Sequence, residues 1–172
     1  MTFVPPDADL VRRAREGDSG ARDLLLEDVF KRVYRYWLRL AGGRQDEALD
    51  GAQETIVRVL RSLDRLRDGD RFLPWALRIA TNLWTDRRRQ ARPSALVLDV
   101  AAADPPEGLE DVVRELRALP DPYRIALTLR YLEGLDYDDI CRILDVPGGT
   151  ARSHVARGLR LLRERMDGEV TP

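Results

Sequence analysis

The sequence predicts an all-α protein made of two small helical domains joined by a flexible acidic linker, with a helix-turn-helix in the second domain. Apolar residues recur at intervals of three and four along most of the chain, and no stretch alternates apolar with polar residues as a strand does. Residues 93–108 interrupt this pattern with prolines, small residues and acidic side chains. We therefore expect domains over 1–92 and 109–172, joined by a linker over 93–108.

The composition limits the class of protein. Of the 172 residues, 44 % are apolar and 34 % are charged, which is typical of a globular protein rich in amphipathic helix. No apolar run approaches the roughly 20 residues that cross a bilayer, and the N-terminus lacks the features of a signal peptide. We expect a cytoplasmic protein. The lone Cys141 has no second thiol with which to form a disulfide or a cysteine metal site, and it is expected in the core.

The first domain is expected to consist of several helices. Their apolar recurrences are Leu24, Val29, Val33, Trp37 and Leu40, then Ile56, Val59, Leu60 and Leu63, then Trp75, Leu77, Ile79, Ala80 and Leu83. Gly42-Gly43 and residues 68–70 separate these helices.

One helix of this domain carries a row of carboxylates. Glu47, Asp50 and Glu54 are spaced by three and four, so they project from one face, and Gln53 lies beside them. Such a row suits an arginine-rich partner surface, although a solvated acidic face has the same pattern. Two irons can be held by paired carboxylates, but that arrangement uses Glu-x-x-His and no histidine lies here, so we expect no metal.

The last helix of the first domain has the side chains that melted DNA requires. Single-stranded DNA needs cations for its phosphates and polar or aromatic groups for its unstacked bases. The polar residues of this helix are Arg78, Asn82, Asp86, Arg87, Arg88, Arg89 and Arg92. Asn82 and Arg89 are the leading DNA-binding candidates, while Trp84 is either a stacking residue or a core residue. The run of arginines also fits a solvated helix end stabilised by the negative C-terminal dipole.

A helix-turn-helix is predicted near the C-terminus. Asp136 can cap its first helix, and Asp139 completes an approximate capping box. Residues 145–149, Asp-Val-Pro-Gly-Gly, end that helix, because proline cannot continue it and glycine permits a sharp reversal.

The helix that follows has the pattern of a recognition helix. Its predicted inward stripe is Ala151, Val155, Leu159, Leu162 and Met166. Its predicted outward residues are Thr150, Ser153, Arg157 and Arg160, with Arg152 and His154 on the flanks. These donors suit base edges and phosphates in the major groove, although a solvated helix surface is the alternative.

Five strings in the sequence resemble one family. Glu-Ala-Leu-Asp-Gly-Ala-Gln-Glu-Thr-Ile-Val-Arg-Val, from Glu47, resembles the Asp-Ala-Glu-Asp-Leu-Val-Gln-Glu-Thr-Phe signature of sigma region 2. Phe-Leu-Pro-Trp-Ala-Leu-Arg-Ile-Ala-Thr-Asn-Leu-Trp-Thr-Asp-Arg-Arg-Arg, from Phe72, is similar to the Phe-x-x-Trp-Leu-x-x-Ile-Ala-x-Asn-x-x-x-Asp-x-x-Arg signature that follows it. Leu-Pro at 119–120, Leu-Arg-Tyr-Leu-Glu-Gly at 129–134 and Gly-Thr-Ala-Arg-Ser at 149–153 resemble sigma region 4. Over residues 8–166 the chain resembles bacterial extracytoplasmic-function (ECF) sigma factors, which lack an intermediate region 3.

This resemblance implies a sigma factor that binds core RNA polymerase and directs promoter-specific transcription initiation, without enzymatic activity or a cofactor. It implies that the carboxylate row binds the clamp-helix coiled coil of the polymerase β′ subunit. It further implies that residues 66–71 and the helix after them engage the −10 element and capture a flipped base, and that the helix-turn-helix reads the −35 element. A partner that masks these faces, an anti-sigma factor, is also implied.

The sequence departs from the family pattern at Leu49, Gly51, Ala76 and Ala151. Gly51 stands where leucine is usual, and glycine inside a helix costs about 1 kcal/mol relative to alanine. A stand-alone helix-turn-helix regulator remains the alternative function; it predicts DNA binding without polymerase, usually as a dimer. An enzyme is disfavoured, because the chain has no Gly-rich phosphate loop, no Ser/His/Asp set and a single histidine.

Overall fold

The computed structural model describes residues 8–66, 69–90 and 110–168, and these residues form helices and turns without a strand. The all-α prediction is confirmed. The predicted linker over 93–108 lies outside the described residues. Among the described helices, none is long and apolar enough to cross a membrane.

In the part of the first domain that the structure describes there are four α-helices. They are α1 (Ala8–Arg15), α2 (Ser19–Leu40), α3 (Gln45–Ser62) and α4 (Phe72–Gln90). The side chain of Asp18 caps α2 by accepting a hydrogen bond from the backbone N–H of Ala21 at 3.0 Å. After α2 the chain reverses at Gly42 and Gly43, which have φ of 67° and 87°, a region that favours glycine.

Trp37 and Gly51 together organise the core of the first domain. The indole of Trp37 is fully buried, and its Nε1 donates to the hydroxyl of Thr55 at 3.0 Å. A Cβ placed on Gly51 would lie 2.3 Å from this indole, which is far inside van der Waals contact. The departure at Gly51 therefore has a physical reason, since the Trp37 ring occupies the space that a side chain at position 51 would need.

The second domain contains α5 (Glu110–Ala118), α6 (Asp121–Leu127), a π-helical turn (Thr128–Leu132), α7 (Tyr137–Leu144) and α8 (Gly148–Gly168). The predicted cap of α7 is confirmed, because the Asp136 carboxylate accepts from the N–H of Asp139 at 2.8 Å. The predicted turn needs a correction. The left-handed residue that ends α7 is Asp145, with φ of 54°, whereas Gly148 and Gly149 already belong to α8.

The two domains share one buried apolar cluster. It includes Trp84 and Leu83 of α4 together with Leu135, Ile140 and Ile143 at and within α7. Cys141 is half-buried and packs against the same cluster. The C-terminal helices therefore complete the core of the molecule by covering α4.

We expect Asp136→Ala to lower the free energy of unfolding by about 1 kcal/mol, because it removes the oxygen that satisfies an N-terminal N–H of α7. Urea denaturation followed by circular dichroism measures this loss. Asp138→Ala is the matched control, because Asp138 is an exposed acid in the same first turn and its removal changes the net charge equally. Equal destabilisation by the two substitutions would contradict a capping role.

Candidate nucleic-acid and polymerase interfaces

The recognition helix α8 packs through a stripe that differs from the predicted one. Ala151 and Val155 are buried as expected, but Leu159 is 38 % exposed. The next inward residue is Gly158, where a Cβ would lie 3.0 Å from the side chain of Leu127 in α6. Because Gly158 lets α6 approach closely, the buried stripe runs through position 158 instead of position 159, and Leu159 turns toward solvent.

The outer face of α8 carries four of the six residues of this helix that are predicted to contact DNA. Arg152, Ser153, Arg157 and Arg160 are exposed. The guanidinium of Arg157 lies over the ring of Tyr123 at 5.8 Å, and that of Arg152 lies over Tyr137 at 5.3 Å. These cation–π contacts hold two long side chains beside the helix and reduce the entropy lost when they bind a ligand.

The other two predicted DNA contacts on α8 are less exposed. Thr150, in the first turn of α8, and His154 are both half-buried. The imidazole of His154 packs edge-on against Tyr123 at 5.7 Å, and its Nδ1 is buried without a hydrogen-bond partner among the described residues. Part of His154 therefore serves the packing of α8 on α6.

The predicted carboxylate row lies on α3, but its members have different surroundings. Asp50 and Gln53 are exposed. Glu47 accepts from Nε of Arg44 at 2.6 Å. Glu54 accepts from Arg87 and from Arg58, each at 2.8 Å, and the hydrogen bond from Arg87 is the main reason that its pKa is lowered. Two of the three carboxylates are thus already paired within the domain.

The outward surface of α3 has an apolar component that the sequence analysis missed. Leu49, Val57 and Leu60 are each 40–43 % exposed and lie on one stripe, with Gln53 between them. We call Leu49, Asp50, Gln53, Val57 and Leu60 the α3 face. The spacing of these residues carries the signal, but Leu60 fits the same apolar periodicity as Ile56, Val59 and Leu63, so periodicity alone does not show that it is exposed.

A second exposed stripe lies on α4. Arg78, Asn82 and Arg89 are exposed and are spaced by four and seven, so they share one face. The carboxylate of Asp86 accepts from Arg89 at 3.3 Å. Of the two roles considered for Trp84, stacking residue or core residue, the structure supports the core. Its indole is buried and packs edge-on against the ring of Trp37 at 5.6 Å.

Among the described residues, no group of His, Cys, Asp or Glu side chains is arranged to hold a metal ion. Two exposed surfaces stand out by their side chains: the basic outer face of α8, and α3 with the neighbouring stripe of α4.

Comparison with known proteins shows which family the chain resembles. The family described as sigma-70 region 2 matches residues 25–93, and the family described as sigma-70 region 4 matches residues 109–162. The chain is 31 % identical to the ECF RNA polymerase sigma-E factor of Haemophilus influenzae over 96 % of both chains. It is 39 % identical to the ECF RNA polymerase sigma factor SigE of Mycolicibacterium smegmatis over 86 % of this chain, an alignment that spans 63 % of that relative.

Solved structures show the same fold. The sigma factor RpoE of Bartonella quintana, in complex with the anti-sigma factor NepR, superposes with a TM-score of 0.72 at 24 % identity and covers 85 % of this chain and 95 % of its own. CnrH, in complex with the cytosolic domain of CnrY, has a TM-score of 0.70 at 22 % identity, with coverage of 94 % and 97 %. Sequence and fold together show that the chain belongs to the extracytoplasmic-function family of RNA polymerase sigma factors, the subunits that direct promoter-specific transcription initiation.

Proposed function

We propose that the two domains have the separate binding functions of sigma regions 2 and 4. The domain over 1–92 binds core polymerase and the −10 element, the linker over 93–108 connects the domains, and the domain over 109–172 binds the −35 element. The observation that carries this proposal is the basic outer face of α8, which is exposed at Arg152, Ser153, Arg157 and Arg160 while its opposite side packs on α6. Thr150 and His154 complete the set of proposed DNA contacts, at the edge of this face.

The α3 face is proposed to bind the clamp helices of the β′ subunit. Its carboxylate Asp50 can meet basic side chains, and its leucines and valine can pack on the apolar side of a partner helix. Glu47 and Glu54 flank this face and are proposed to contribute through their remaining lone pairs. The combination of an apolar centre with a charged edge is the usual anatomy of a protein interface.

The exposed stripe of α4 is proposed to contact the −10 element. Asn82 supplies an amide that can both donate to and accept from an unstacked base, and Arg89 supplies a cation for phosphate. The free protein has a net charge of −1, so phosphate contacts alone give it little affinity for DNA. Polymerase is then needed to hold both domains on the promoter.

Other features follow from the family. Sigma factors are non-catalytic regulators, and we propose that this chain has no enzymatic activity of its own and needs no cofactor. It is proposed to act in the cytoplasm, where bacterial polymerase transcribes. Both structural relatives named above were solved as complexes, and one of them is a sigma factor with a protein described as an anti-sigma factor. We propose a partner of that kind here.

The proposal is tested by run-off transcription with bacterial core polymerase, with and without this protein, on fragments of its own genome. Promoter-specific transcripts that depend on the protein are the expected result. Failure to bind core polymerase, together with duplex binding by the protein alone, would favour a stand-alone regulator instead.

We expect Asp50→Arg to weaken core binding by tenfold or more, because it places a cation opposite the basic partner that the α3 face is proposed to meet, and each factor of ten corresponds to about 1.4 kcal/mol. Fluorescence anisotropy of the labelled protein titrated with core polymerase measures this affinity. Glu27→Arg is the control, since Glu27 is an exposed acid on α2 and the charge change is identical. Equal loss in both variants would argue that only net charge matters.

A further inference from the structure

Two arginines on the outer face of α8 lie against aromatic rings from neighbouring helices. The guanidinium of Arg152 is 5.3 Å from the centre of the ring of Tyr137, in α7. The guanidinium of Arg157 is 5.8 Å from the ring of Tyr123, in α6. At about 100° per residue, the two arginines are roughly 140° apart around α8, with Ser153 between them. Each side of the outer face therefore has one arginine and one supporting tyrosine.

An aromatic ring holds a guanidinium without using its hydrogen-bond donors. A carboxylate partner, in contrast, occupies one or two N–H groups of the guanidinium fork. Arg160, on the same helix, is paired in that way with Glu164 at 3.6 Å. Arg152 and Arg157 form no ion pair with any of the described residues. Their N–H groups therefore stay available for a base edge or a phosphate, while the ring restricts the direction of each side chain.

Tyr137 is itself held in place by contacts other than the one with Arg152. The guanidinium of Arg130 lies 5.0 Å from the centre of the same ring, and its Nη1 donates to the backbone oxygen of Leu135 at 2.8 Å. The Tyr137 ring is half-buried and packs against the apolar core. Because the ring is fixed by the π-helical turn and the core, it gives Arg152 a support that does not move with the arginine side chain.

Two glycines of α8 leave room for these contacts. A Cβ on Gly148 would lie 3.3 Å from Nη1 of Arg152, which is closer than ordinary van der Waals contact. A Cβ on Gly158 would likewise lie 3.3 Å from the Cβ of Tyr123. A side chain at either position would therefore press on an arginine or on the ring that supports one. The neighbouring Gly149 differs, because a Cβ there would have no atom within 4 Å.

We propose that Tyr137 and Tyr123 are positioning residues, which hold Arg152 and Arg157 in the direction that the major groove requires before DNA is bound. This inference rests on the proposed function of α8 in −35 binding. Because the rings already restrict the two guanidinium groups in the free protein, less side-chain entropy is lost on binding. The rings act on DNA affinity through the arginines, without a contact of their own to a base.

Nuclear magnetic resonance of the free protein tests the support in the absence of DNA. With isotope-labelled arginine, the Nε–H resonance of Arg152 is identified by its loss in Arg152→Lys. We expect Tyr137→Leu to move this resonance and Tyr137→Phe, which keeps the ring, to leave it in place. Gly148→Ala should also move it, whereas Gly149→Ala should not. A resonance unmoved by Tyr137→Leu would overturn the proposal, and one unmoved by Gly148→Ala would remove Gly148 from the support.

A double-mutant cycle tests the effect on DNA binding. The holoenzyme formed with bacterial core polymerase is titrated against a labelled promoter fragment found by run-off transcription, and fluorescence anisotropy gives the affinity. We expect Tyr137→Leu to weaken binding about two- to fivefold, the size of an exposed cation–π contact, and Tyr137→Phe to bind as the wild type does. In an Arg152→Ala background, Tyr137→Leu should have no further effect. The same cycle with Tyr123→Leu and Arg157→Ala tests the second pair.

The control cycle combines residues from different pairs. Tyr137→Leu with Arg157→Ala should lose the product of the two single factors, because the ring beside Arg157 is that of Tyr123. An equal loss from Tyr137→Leu in the wild type and in the Arg152→Ala background would overturn the positioning role. Equal losses from Tyr137→Phe and Tyr137→Leu would overturn it in favour of a direct contact by the hydroxyl. If the Arg152 resonance responds as expected but no promoter gives transcripts, it is the proposed function that fails.

Discussion

Gly51→Ala is expected to destabilise the protein by about 2 kcal/mol or more, although alanine is the better helix former. Inserting a methyl group into a filled core costs about 1–3 kcal/mol, and occasionally more, while the gain in helix propensity returns only about 1 kcal/mol. The cost is at the high end here, because the indole of Trp37 is 2.3 Å from the position of the new Cβ. The indole is also confined by its bond to Thr55, by the ring of Trp84 and by the guanidinium of Arg87 above it at 5.1 Å.

Urea denaturation measures this loss, and Gly20→Ala is the control. Gly20 lies in the first turn of α2, where a Cβ would be in ordinary contact with Asp18 at 3.5 Å, so this second glycine-to-alanine change is expected to leave stability unchanged or raised. Trp37→Leu should partly rescue Gly51→Ala, and the double variant should lose less than the sum of the single losses. Equal stability of the two glycine variants would show that the Trp37 ring moves aside at little cost.

The helical class was predictable because amphipathic periodicity is a property of neighbouring residues. The bounds of α7 followed from local signals as well, since Asp136 caps the helix through an N–H only three residues away. The direction of individual side chains was less predictable. Leu24, Leu60 and Leu159 fit an apolar period and yet are exposed, because the packing partner decides which edge of an apolar stripe is covered.

In the candidate sites, too, some features were predictable from local sequence and others depended on tertiary packing. The outward position of Ser153, Arg157 and Arg160 on α8 followed from helical spacing alone. The pairing of Glu54 with Arg87 did not, because 33 residues separate the partners and only the packing of α3 on α4 brings them together. The meeting of Arg71 with Asp139 depends on domain packing in the same way. Contacts between distant residues are set by tertiary structure, which no local pattern encodes.

Arg157→Ala is expected to lower promoter-specific transcription about fivefold or more while leaving core binding unchanged. The side chain is exposed on the outer face of α8 and packs only one face of its guanidinium on Tyr123, so its loss costs little stability. A guanidinium that contacts a guanine edge in two places contributes about 1–3 kcal/mol of discrimination, which corresponds to roughly 5- to 150-fold in affinity. Run-off transcription and the anisotropy titration with core polymerase measure the two quantities separately.

Two further variants determine what kind of contact Arg157 makes. Arg163→Ala is the positional control, because Arg163 is exposed on the same helix but lies nearly two turns further from its N-terminus, which is the end that enters the groove. Arg157→Lys keeps the charge and removes the planar fork. If Arg157 reads a base, Arg157→Lys should restore little transcription, and Arg157→Ala should tolerate changes in the −35 sequence. If Arg157 contacts a phosphate, Arg157→Lys should restore most of the transcription on every promoter. Full transcription by the alanine variant would place the reading surface elsewhere on α8.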